Sequence, residues 1–337
     1  MFHTPDEFAS FTDGERRFVA AAWRDDPTRA YFVLPDGEAE QHRVRARTEL
    51  RCMFRDCRAP EITTVARVGR RDGFRHLDGS TEGHGGPESF HHISGKAVLV
   101  DFLRSTYPHL EVKAEQGIDT QRTRIADVMA TNPVTGNRMA FEVQYAALSP
   151  GEWEARTADY AAAGIPVVWL WGHVGSNMRA TGFRNDGRPP MVGLSPTLEA
   201  AAKTQPLLWL NPELGAIGIG YEMQPWDETE VPMPVKSGRV ELGIRPLSRF
   251  ALAPAGLDTP LLARMRENRD RAERRRLDEE ARRAKRRQQQ PPRLSPKSTS
   301  RQSFPVGVPL CAVCREPIDQ VLVEHGGRHL ARCQPRP

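Results

Sequence analysis

Residues 138–145, Arg138-Met139-Ala140-Phe141-Glu142-Val143-Gln144-Tyr145, decide how the centre of this chain is read. Met139, Phe141 and Val143 alternate with Ala140, Glu142 and Gln144, the period-two pattern of a strand with one apolar face. Glu142 and Gln144 therefore share a face, opposite Phe141 and Val143. Just upstream, Pro133-Val134-Thr135-Gly136-Asn137 reads as a turn, and residues 124–130 read as a preceding strand anchored by Ile125 and Val128. Cross-strand neighbours in a hairpin come within about 5 Å, so this arrangement lets Asp127 and Glu142 converge at one edge of a sheet. Two converging carboxylates repel unless a cation lies between them. Mg²⁺ or Mn²⁺ suits such a place, since Mg²⁺ takes one or two carboxylates and leaves its other positions to water and phosphate. A metal there would activate water and stabilise the charge developing on a scissile phosphate. The competing reading is an ordinary polar strand face, and spacing alone does not overturn it.

Working outward, residues 88–104 read as a helix, with Ile93, Ala97, Val100 and Leu103 at helical spacing and Tyr107-Pro108 stopping it. Residues 111–118 read as a short strand. After the central hairpin, Ser149 can cap a helix, Pro150 suits its first position and Glu152 completes a capping box. Gly164 suits the left-handed end of that helix, and residues 165–171 read as a buried strand. The order is helix, three strands, helix, strand, which defines an α/β core.

Several of these segments, in this order, resemble the CoiA-like competence family. They are Glu88-Ser89 followed by His92 and Lys96; Arg124-Ile125-Ala126-Asp127-Val128; Phe141-Glu142-Val143-Gln144; Leu148-Ser149 through Arg156 and Tyr160; and residues 164–169. The resemblance covers roughly residues 88–172. It implies a PD-(D/E)XK, restriction-endonuclease-like fold, with Asp127 as the Asp of the motif and Glu142 as the acid of the (D/E)XK element. It also implies a part in DNA uptake and recombination. Gln144 stands where the broad superfamily has Lys, while the CoiA-like family is similar to this chain in carrying E-x-Q. Gln can position water by hydrogen bonds but brings no charge. Lys96 is a candidate replacement cation, on one helix face with Glu88 and His92 at i, i+4 and i+8. The resemblance to superfamily members with a His on that helix makes His92 a candidate metal ligand; the alternative is a histidine satisfied by a neighbour. Glu115, on the first strand, is a weaker candidate carboxylate.

The five cysteines, Cys52, Cys57, Cys311, Cys314 and Cys333, point to metal sites in preference to a disulfide framework. Cys311-Ala-Val-Cys314 gives half a tetrahedral zinc site, and the turn at Gly326-Gly327 returns His329 and Cys333 as the other half, with His325 as the alternative to His329. A module this small needs metal binding to fold. Cys52, Cys57 and His76 resemble the zinc-binding region that precedes the nuclease core in CoiA-like proteins. The family pattern often has another His where Phe74 stands here, which leaves His84 or His91 for the fourth position. The alternative is a pair of buried cysteines.

Lys and Arg number 48 against 43 Asp and Glu, a net charge of +5, and the pI is about 9.1, a balance that fits a nucleic-acid partner without requiring one. Nothing approaches the roughly 18 apolar residues of a membrane helix, and no secretory signal opens the chain, so a cytoplasmic protein with no membrane partner is expected. Residues 264–287 hold twelve basic and six acidic residues. The choice lies between a DNA-tracking helix and a solvated one, and the mixed signs favour the solvated one.

The expected organisation is a β-rich N-terminal region with the first zinc site (1–85), the nuclease core (86–172) and its C-terminal extension (173–259). A charged helix (260–290), a disordered linker (291–309) and the zinc-finger-like module (310–337) follow. The function expected is a Mg- or Mn-dependent deoxyribonuclease, endonuclease in preference to exonuclease. It would serve DNA uptake, recombination or defence, with a recombination or defence protein as a candidate partner. The rivals are a non-catalytic DNA-binding protein that keeps the fold and a zinc-module scaffold that recruits a partner.

Overall fold

The turn and capping signals place the elements. The computed structural model describes residues 4–13, 18–26, 29–54, 57–68, 71–79, 90–119, 123–181, 188, 190–226, 229–235, 238–289, 309–314 and 318, with the side chains of residues 287–289 left aside. A capping box at Thr4 and Glu7 starts α1 (Pro5–Phe11). Then come β1 (Ala20–Trp23), β2 (Phe32–Val33), α2 (Arg43–Thr48), β3 (Leu50–Arg51), β4 (Ile62–Val65) and β5 (Gly73–His76). The expected β-rich lead-in thus also carries two short helices, α1 and α2.

The centre runs α3 (Phe90–Thr106), β6 (Glu111–Gly117), β7 (Ile125–Thr131), β8 (Arg138–Gln144), α4 (Pro150–Ala162) and β9 (Val167–Gly172). Ser149 caps α4 and forms the capping box with Glu152, while Gly164 takes φ 66° just past its end. Strands β6, β7 and β8 form antiparallel ladders, and β8 pairs in parallel with β9 because α4 carries the chain back across the sheet. Ile125, read as an apolar anchor, is 44% exposed, whereas Val128 is fully buried. Ile125 opens β7, where it escapes the cover that its partners give to Val128.

The chain continues with β10 (Arg179–Thr181), β11 (Met191–Gly193), α5 (Pro196–Ala202), β12 (Leu208–Asn211), β13 (Ala216–Trp226), β14 (Thr229–Met233), β15 (Arg239–Pro246), β16 (Ala251–Ala253), β17 (Gly256–Asp258) and α6 (Pro260–Gln289). Most of these strands join the central ones in a single ten-stranded sheet, ordered β10-β11-β15-β13-β12-β9-β8-β7-β6, with β14 on β13; β16 and β17 pair separately. Two compact units result, Met1–Arg274 and Arg275–Pro337.

One face of the sheet packs Phe141, Val143, Leu170 and Leu210 against Leu99 and Leu103 of α3. Each such side chain stabilises by about 1.5–3 kcal/mol when fully buried. Gly95 allows the close approach: a Cβ there would lie 2.9 Å from Val143 Cγ1 and 3.2 Å from Leu210 Cδ2. On the other face, Trp153 and Tyr160 of α4 cover β7, β8 and β9.

Candidate active site

The β7–β8 ladder runs to Val128↔Phe141, and one residue further along each strand stand Asp127 and Glu142. Asp127 Oδ2 accepts the Val143 N–H at 2.8 Å, so a carboxylate satisfies a backbone donor just past the end of the ladder. Its Oδ1 lies 3.0 Å from His92 Nε2 on α3. Burial pushes the Asp127 carboxyl up. The hydrogen bond and charge of His92, the Val143 N–H and the charge of Lys96 outweigh that and hold it below the usual carboxylate range.

Glu142 is only 3% exposed. Tyr160 donates its hydroxyl to Glu142 Oε1, and Arg156 Nη1 lies 3.7 Å from Oε2. Burial first, and the charge of Asp127 second, push Glu142 up to about 7, against the pull of Tyr160, Arg156 and Arg124. Two neighbouring carboxyls are thus driven apart, one firmly ionised and one exchanging its proton near neutrality. This donor set fits a hard divalent cation, whose charge would favour the ionised form of both acids.

Lys96 sits on a face of α3 that is covered, with its side chain 3% exposed, and its Nζ donates to Glu115 Oε1 at 2.9 Å. Glu115 lies across from Asp127, between the pairs Ala114↔Val128 and Gln116↔Ala126. Its φ of 53° makes it the single non-glycine residue with positive φ among the described residues. That conformation costs an L-residue about 1–2 kcal/mol. Gln144 shares the strand face predicted for it, but its amide donates to the Ala146 carbonyl at 2.8 Å.

The structure therefore brings Asp127, His92, Lys96, Glu115 and Glu142 into one neighbourhood, while the Gln144 amide is held at the strand end. Glu88 lies outside the described residues. Sequence reasoning gave no role to Arg156 and Tyr160. Their signal was present: they stand at i and i+4 on α4, on the side that also carries buried Trp153. Asn177 was missed altogether. It is buried and donates to the Gln144 carbonyl at 2.9 Å, while Trp209 Nε1 donates to the Asn177 carbonyl at 2.7 Å.

A mixed α/β sheet with paired acids at a strand end is the setting of a nuclease-like domain. Residues 88–185 match the family model described as competence protein CoiA, nuclease-like domain, which supports a CoiA-like family for this chain. The match spans less than a third of the sequence. No curated protein and no solved structure matches the chain. No helix among the described residues is long and apolar enough to cross a membrane.

The Cys52 and Cys57 thiols and a His76 ring nitrogen lie within 4.8 Å of one another, all buried. Burial and the neighbouring Cys57 push the Cys52 thiol up to about 12, so without a cation it stays protonated. His76 Nδ1 lies 2.6 Å from the Ala59 carbonyl, an interaction that fixes the ring and leaves Nε2 to ligate. Two thiols and an oriented imidazole suit zinc. His91 is engaged elsewhere, stacked on Tyr145 and 3.9 Å from Glu213, so it does not supply the fourth ligand in this arrangement. His84 lies outside the described residues. In the C-terminal module Cys311 is buried, Cys314 is half-buried, and the Val313 N–H lies 3.5 Å from Cys311 Sγ. His325, His329 and Cys333 lie outside the described residues.

Proposed function

We propose that this protein is a Mg²⁺- or Mn²⁺-dependent deoxyribonuclease of the PD-(D/E)XK type. The observation that carries the reading is the pair Asp127 and Glu142, adjacent at the end of the β7–β8 ladder, with Glu142 raised first by its burial and then by the charge of Asp127. Asp127 and Glu142 would hold the cation, which when bound supplies Lewis acidity and a water of lowered pKa. Lys96 contributes the positive charge that Gln144 lacks, close to the phosphate that must be stabilised. Gln144, once its amide leaves Ala146, orients the attacking water. His92 fixes Asp127 or ligates beside it, and Tyr160 and Arg156 fix Glu142. Structural zinc at Cys52, Cys57 and His76, and at Cys311, Cys314, His329 and Cys333, completes the reading. DNA is the substrate, cut internally, in uptake, recombination or defence, where a protein partner acts with it.

The test is cleavage of circular single- and double-stranded DNA with Mg²⁺ or Mn²⁺ by the wild type, Asp127→Ala and Glu142→Ala. Metal-dependent nicking by the wild type alone is expected. Intact circles with every form, alongside undiminished DNA binding, would favour the rival reading of a binding protein, to which the tethered and uncharged Gln144 also points.

A further inference from the structure

The acidic and basic residues of α6 are not mixed evenly around it. Residues 273–286 are exposed throughout, so no core holds this part of the helix. With a step of about 100° per residue, Arg275, Arg282, Lys285 and Arg286 fall within roughly a third of the circumference. Within residues 275–286, Asp278 alone among the acids shares that arc. Arg276, Glu279, Glu280 and Arg283 occupy the adjoining arc and neutralise one another, with Arg276 3.9 Å from Glu280 and Arg283 3.9 Å from Glu279. Among the described residues no carboxylate lies within ion-pair distance of Arg282, Lys285 or Arg286. The same spacing continues backward in the sequence to Arg271 and Arg274.

A helix that is merely solvated gains most when its charges alternate as i, i+4 pairs. Here the pairs of Arg276 and Arg283 lie on one side, and a mainly basic stripe about 16 Å long, with Asp278 as its one acid, is left on the other. We propose that this stripe docks on the phosphate backbone of DNA, independently of base sequence. Duplex DNA carries one negative charge per about 1.7 Å of axis, so the stripe meets several phosphates at once. A membrane is a poor fit, because the exposed part carries one large apolar side chain, Leu277. The inference rests on the nuclease reading for the choice of DNA among polyanions. Its readout is binding, so an absence of cleavage would leave it standing.

The test uses the full chain and a duplex of arbitrary sequence, with Ca²⁺ in place of Mg²⁺. Affinity is measured at several salt concentrations for the wild type, for the triple variant Arg282→Gln, Lys285→Gln, Arg286→Gln, and for the control Arg276→Gln, Arg283→Gln. Circular dichroism checks that helix content is kept. The triple variant is expected to flatten the log–log salt slope by about 3, since each phosphate that is no longer neutralised removes about 0.9. The control should flatten it by less than one. Equal flattening by both variants, or none by the triple variant, would overturn the proposal. So would tighter binding to vesicles rich in phosphatidylserine than to the duplex.

Discussion

Lys96 and Glu115 meet at 2.9 Å across the boundary between interior and solvent, the lysine side chain 3% exposed and the glutamate 56%. The glutamate reaches that position from a left-handed backbone, at φ 53°. A strained residue that fixes a buried cation beside a pair of acids is a positioning device.

If Lys96 provides transition-state charge, Lys96→Met should slow cleavage by about 100-fold. Glu115→Gln should slow it less, and should add nothing in the Lys96→Met background. Additive losses in that cycle would mean Glu115 acts on its own. Strain has a separate signature. Glu115→Gly should be more stable than Glu115→Ala by about 1 kcal/mol in urea unfolding, because only glycine occupies this φ freely.

Glu142 makes the metal-free protein pH-sensitive. Its carboxyl stands at about 7 in the fold against an ordinary 4.5. A raised carboxyl contributes stability that is complete below the unfolded value and is lost as pH climbs through the folded one. Between pH 4.5 and 8 this group should cost the protein at most about 3 kcal/mol. In EDTA at pH 8, Glu142→Gln should therefore unfold later than the wild type, and Mn²⁺ should reverse that order by stabilising the wild type alone. Parallel stability curves for the two proteins at every pH would sink the argument.

His173 acts on the acid side. Burial, and next the charge of His91, push it down to about 3. A depressed histidine contributes stability that is present above its unfolded value, near 6.5, and is lost as pH falls toward the folded one. Acidification from pH 6.5 to 4 should weaken the fold by up to about 1.4 kcal/mol per pH unit from this residue. In NMR titration its ring should stay neutral through pH 5. A ring that titrates near 6 would contradict the burial.

Zinc should be countable. Elemental analysis of the purified chain is expected to give two equivalents, one lost in Cys52→Ala and the other in Cys314→Ala. Loss of the first should also lower the melting temperature, since it closes a cluster that packs Phe18, Phe54 and Phe74. A full zinc content in both variants would remove both sites from consideration.

The parts of this protein that read well from sequence are those specified locally. Ser149, Pro150 and Glu152 cap α4 within one turn, and the alternation from Met139 to Gln144 fixes which side of β8 faces α3. What could not be read depends on distant partners. The spacing of Arg156 and Tyr160 marks one face of α4 but not its partner, because the hydrogen bond to Glu142 forms only once α4 lies back across the sheet. The long-range pairing of β9 with β12 is likewise invisible in either strand alone. Asn177 carries no motif, and its work is to hold a carbonyl contributed by β8. Gln144 was placed on the correct strand face, yet its amide orientation follows from Ala146, two residues on.

The pairing of β9 with β12 also separates inheritance from folding. The stretch recognisable by descent closes at residue 185, whereas β12 lies at Leu208–Asn211 and places Trp209 in the same cluster as Trp169 and Trp171. A fragment trimmed to the ancestral segment would lay bare a raw parallel edge and two tryptophans. It would be expected to clump, however faithfully it preserved the acids. Whoever expresses this domain should let the scissors fall after Arg274, since Leu262 and Met265 of α6 are buried in the same core as Val168 and Leu170.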